Sequence, residues 1–161
     1  SAPDHSTPQG PLLARMTEGR LAGFEGATTA VAQANAHYVR VAKRFDLDRN
    51  AVHSWHAGIH PGCGFPWKLD DHIERWGGSA FGNPRIAHFH TCGAFAPGEI
   101  SWNVIDPTIT LDNVPVWEAG TFHADRIEGG ADILAQYPDV GAMFARPDRA
   151  IGLPDRTFAE A

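Results

Sequence analysis

From Thr29 to Phe45 apolar side chains return every three or four positions, at Val31, Ala34, Tyr38, Val41 and Phe45. Gln33, Asn35, Arg40, Lys43 and Arg44 fill much of the remainder. This period predicts one amphipathic helix over 29–45 with a single face on a core. Thr28 or Thr29 is placed to cap it, and Lys43 and Arg44 suit the negative end of its dipole. Elsewhere the period falls to two. Leu21–Phe24, Ala51–Ile59, Ile86–His90, Glu99–Val104, Thr108–Leu111, Val114–Trp117 and Thr121–His123 read as strands. Asp112-Asn113 between two of them predicts a hairpin turn. Leu69–Trp76 reads as a short helix ended by Gly77-Gly78, and Ala131–Tyr137 as a last helix stopped by Pro138. The expected class is α/β or α+β, a mixed twisted sheet with the long helix (about 29–45) on one face.

Residues 1–12, rich in Pro, Ser and Gly, predict a flexible arm or linker, followed by a single metal-binding domain over 13–161. The 161 residues suffice for one buried core. A net charge of −6 with scattered basic residues gives no basic surface for nucleic acid. No apolar run approaches the ~20 residues of a membrane-spanning helix, and no secretory leader pattern opens the sequence. Cys63 and Cys92 do not form a paired Cys-x-x-Cys, so reduced thiols in a cytoplasmic enzyme are expected rather than a structural zinc site.

Five of the nine histidines fall in two clusters, His53, His56 and His60 in one segment and His88 and His90 in the other. In a strand, alternation puts His88 and His90 on one face and Ala87 and Phe89 on the other. Two such imidazoles can grip one metal ion. Neutral imidazoles suit iron(II), zinc, copper or nickel, and two histidines with one carboxylate form the site of non-haem iron(II) oxygenases. Glu99, just after a Pro-Gly turn, is the nearest carboxylate, with Asp106 the alternative. His56 is the first choice for a third imidazole. Simple alternation sets His56 with Ser54 and Gly58, and His53 with Trp55 on the opposite face. His53 and His60 are candidates for moving a proton. His123 follows a turn and can approach the site, whereas His37, His72 and His5 carry no ligand pattern.

Other chemistries have less support. Asp46-Leu47-Asp48-Arg49-Asn50 opens like a calcium loop, but Ala51 and Ala57 stand where the turn glycine and bidentate glutamate belong. There is no Gly-x-Ser-x-Gly elbow, His-Glu-x-x-His helix or phosphate-binding glycine set.

Glu18-Gly19-Arg20, Glu25-Gly26-Ala27, the helix to Phe45-Asp46 and Gly58-Ile59-His60-Pro61 follow in an order that resembles a known family. With Asp106–Asp112 and Val114-Pro115-Val116, they resemble the C-terminal metal domain of 2,5-dihydroxypyridine 5,6-dioxygenases and related M29 (aminopeptidase T-like) metallopeptidases. The resemblance spans about Arg15 to Phe122 without the family's N-terminal domain. It implies mononuclear iron(II), dioxygen and opening of a small planar hydroxylated aromatic ring. The peptidase relatives imply zinc-dependent hydrolysis instead. The family's metal ligands fall near Ser54 and Glu99-Ile100-Ser101, so His88 and His90 would replace them. A cupin barrel is the weaker comparison, because Gly93-Ala94-Phe95 stands where its glutamate belongs. The expected site is thus His56, His88, His90 and Glu99 on the metal, with His53 and His60 catalytic. A homo-oligomer or association with another chain is also expected, and a non-catalytic metal-binding subunit is the remaining alternative.

Overall fold

The computed structural model describes residues 7–153; His5, the first half of the expected N-terminal arm and the end of the tail lie outside them. The class is α+β. Among the described residues eight strands form three small sheets, ordered β1-β2, β3-β4-β5 and β6-β7-β8, accompanied by four α-helices. The strands are thus shared among three sheets rather than gathered in one. By its contacts the chain divides into two compact units, one of residues 1–55 with 89–102, the other of 56–88 with 103–161.

In the first unit, β1 (Leu12–Thr17) pairs antiparallel with β2 (Arg20–Gly26), and α1 spans Thr28–Phe45. β1 is a strand that the sequence pattern does not reveal, because only Leu12 of its six residues is even partly buried. Helix α1 carries no side-chain cap; the residue before it is Ala27, and Asp46 closes its far end in the left-handed conformation at φ 54°. Its buried line is Ala30, Ala34, Tyr38 and Ala42, one residue away from the expected valines, which pack at the margin. Small residues let the helix approach closely, and Tyr38 is the one large side chain on that line. Leu21, Phe24, Cys92 and Ile100 complete this core. A relay of side chains crosses it. Trp102 Nε1 donates to Tyr38 Oη at 2.6 Å, Tyr38 meets Thr91 Oγ1 at 2.5 Å, and Thr91 donates to the Ile100 carbonyl at 2.8 Å. The single threonine hydrogen is spent on Ile100, so Tyr38 is the donor to Thr91.

In the second unit, α2 spans Ile73–Ala80 and runs through Gly77-Gly78, which were expected to end it. Trp76 and Ala80 are buried with Phe65, Ile86 and Ile151, and Trp76 Nε1 donates to the Ile151 carbonyl at 2.6 Å. That packing outweighs the ~1 kcal/mol cost of each helical glycine. β6 (Ile109–Leu111), β7 (Val114–Glu118) and β8 (Thr121–Phe122) form an antiparallel meander. Asp112 and Asn113 turn its first hairpin at φ 48° and 65°, both positive as a primed turn demands. α3 (Gly130–Gln136) is not the last helix. Pro138 opens α4 (Pro138–Ala145), because proline at a first helical position loses no hydrogen bond. Arg85, 1% exposed, locks this unit: it forks onto Asp106 at 2.6 and 2.7 Å and donates to the Arg149 carbonyl at 2.6 Å.

Another sheet holds β3 (Val52–Ala57), β4 (Ile86–Cys92) and β5 (Glu99–Ile105). β4 and β5 are an antiparallel hairpin, with Gly93 N–H on the Gly98 carbonyl at one end and Asp106 N–H on the Arg85 carbonyl at the other. β3 runs antiparallel to β4. Cys92 N–H donates to the Ala51 carbonyl, and Gly58 N–H to the Ile86 carbonyl. Between those bonds β3 advances one residue further than β4. That is a β-bulge. Trp55 already packs edge-on against Phe89, with centroids 6.3 Å apart, so the extra residue lies between Ala51 and Trp55. Gly58 is required where β3 ends, since a Cβ there would stand 2.0 Å from the Asn83 carbonyl oxygen.

Candidate metal centre

His88 and His90 alternate on β4 as the strand period demands, one buried and the other half-buried. The bulge in β3 decides which side chain joins them. Without it, the Ala51–Cys92 register would place Trp55 beside His88. With it, His56 stands there, its ring stacked on that of His88 at 4.7 Å between centroids and 14° between planes. On this ladder the ligating nitrogens of His56, His88 and His90 all lie within 4.8 Å of one another. Three imidazoles that close suit a borderline transition-metal ion and not magnesium or calcium, which take oxygen. His56 is exposed, so the group can be reached from solvent.

Glu99, the expected carboxylate ligand, meets His90 Nδ1 at 2.5 Å. A carboxylate only accepts, so the proton of this bond sits on Nδ1 of His90. Asp106, its alternative, is held by Arg85 and Arg149.

The two histidines expected to move protons have backbone partners. His53 Nε2 donates to the Cys92 carbonyl at 3.0 Å. His60 Nδ1 accepts the Gly62 N–H at 3.1 Å, which puts the proton of the neutral ring on Nε2. His123 Nε2 lies 3.3 Å from a carboxylate oxygen of Glu118. Phe81 escaped the sequence reading, yet its ring sits 4.4 Å from that of His88 and walls the imidazole on one side. Nothing in its Phe-Gly-Asn-Pro context signals this.

Burial pushes the Cys92 thiol above its ordinary value, and both Cys63 and Cys92 are free thiols. Among the described residues no helix is long and apolar enough to cross a membrane. Compared with known proteins, the chain matches no family model, no curated protein and no solved structure.

Proposed function

We propose that this chain is a mononuclear metal enzyme in which His56, His88 and His90 hold one divalent transition-metal ion. The reading rests on one observation, the convergence of three imidazole nitrogens within 4.8 Å. The preferred chemistry is that of a cytoplasmic non-haem iron(II) dioxygenase acting on a small hydroxylated aromatic or heteroaromatic ring. Iron(II) bound there would supply the redox chemistry that joins dioxygen to an electron-rich ring. Held by these three imidazoles alone, such an ion would keep open positions for exchangeable groups such as a chelating substrate. His60 is the proton donor at Nε2, its ring oriented by the Gly62 amide. His53, fixed on the Cys92 carbonyl, holds the end of β3 against β4.

One observation favours a second reading, zinc-dependent hydrolysis. The three-residue group contains no carboxylate, and three histidines with a fourth open position also make a water-activating zinc site. Metal analysis of anaerobically purified protein, followed by oxygen uptake with hydroxylated pyridines and catechols, separates the two. Iron-dependent oxygen uptake lost in His88→Ala supports the dioxygenase. Hydrolysis with zinc under nitrogen supports the second. Metal retention equal in wild type and the His56, His88 and His90 variants would overturn both.

A further inference from the structure

We infer that Glu99 is a positioning residue for His90 and not a fourth ligand: it selects the ring tautomer whose Nε2 lone pair faces a metal. This inference rests on the three-histidine reading above. Glu99 Oε1 lies 2.5 Å from His90 Nδ1. In a neutral imidazole one nitrogen carries the proton and the other the lone pair, so a carboxylate on Nδ1 leaves Nε2 as the basic atom. A carboxylate accepting from the outer nitrogen also fixes ring orientation and raises ligand basicity.

The surrounding fold holds the pair in place. His90 and Glu99 stand on the hairpin of β4 and β5, whose connecting loop is closed by Gly93 N–H on the Gly98 carbonyl at 3.1 Å. The residues next to each, Thr91 and Ile100, point to the other side of the sheet. There Thr91 is fully buried and joins Tyr38 to the Ile100 carbonyl. The helix side of the hairpin is pinned, so the carboxylate and imidazole on the opposite side keep their register.

Two measurements test this, one of them without metal. Long-range proton–nitrogen spectra of metal-free protein, assigned through loss of the signals in His90→Gln, report the tautomer. Wild type and Glu99→Gln, whose amide oxygen still accepts, should show His90 protonated on Nδ1; Glu99→Ala should shift it toward Nε2. Zinc titration should then show Glu99→Ala weaker by about 10- to 100-fold, the range for removing a ligand's outer partner, and Glu99→Gln by less. His90→Ala should lose more than either. An unchanged tautomer in Glu99→Ala overturns the inference. So does Glu99→Gln losing zinc as completely as His90→Ala, the behaviour of a ligand. If wild type binds no zinc, iron(II) or cobalt(II), the metal reading fails, while the metal-free spectra still decide the role of Glu99.

Discussion

The imidazole of His56 lies flat against that of His88, 4.7 Å away across two neighbouring strands. The metal reading proposed above has both rings share one cation with His90. Alanine at His56, His88 or His90 should each weaken binding of zinc or iron(II) by more than the ~100-fold upper range for an outer partner. Equilibrium dialysis with metal analysis measures it. His123→Ala, at a histidine held near Glu118, should leave affinity unchanged.

Arg85 and Asp106 form a buried forked pair, with side chains 2% and 7% exposed. Removing Arg85 leaves Asp106 with only the longer contact to the half-exposed Arg149, and removing Asp106 takes the forked carboxylate from a buried guanidinium. Arg85→Ala and Asp106→Ala should each cost about 3–5 kcal/mol in urea unfolding. Glu25→Ala, which breaks the exposed pair with Arg15, should leave the urea midpoint almost unchanged.

Tyr38 should give the protein an alkaline limit. Burial, the largest influence, raises its phenol above the ordinary value, with the bonds to Thr91 and Trp102 pulling less strongly the other way. The unfolded chain ionises this tyrosine near pH ~10, whereas the fold keeps it neutral. Its contribution is therefore complete below about pH 10 and is lost as pH rises through the folded value. Absorbance titration should show a late tyrosine step for Tyr38, above pH ~10 or only on unfolding. Tyr38→Phe should remove the later step and cost about 1–3 kcal/mol at neutral pH, because Trp102 and Thr91 lose their partner.

The two thiols should differ in reactivity. Cys92 is 1% exposed and its thiol is raised by burial, whereas Cys63 is half-buried. A thiol reagent at pH 8 should modify Cys63 in the folded protein, and Cys92 only in denaturant. Equal rates at both would contradict the placement of Cys92 in the core.

Much of the local structure was legible because it depends on near neighbours in sequence. The 3.6-residue period located α1 to within one residue at its start. Alternation located β4 and set His88 and His90 together. Asp112-Asn113 announced a turn with two positive φ angles. Where the reading failed, a distant contact outweighed a local preference. Gly77 and Gly78 stay helical because Trp76 and Ala80 are buried on either side of them. Pro138 was read as a stop and is a start, since the same residue suits both.

By itself, then, the sequence determined a mixed class, α/β or α+β, the long helix and a two-histidine strand face, all consequences of side-chain period. It named His56 and Glu99 as neighbours of that face without their geometry. Only the tertiary structure decided that a one-residue bulge in β3 turns His56 toward His88. The same holds for Glu99, which the β4–β5 hairpin sets against the outer nitrogen of His90. The reason is physical: side-chain period is a local property, whereas a bulge is set by how two strands distant in sequence share their hydrogen bonds.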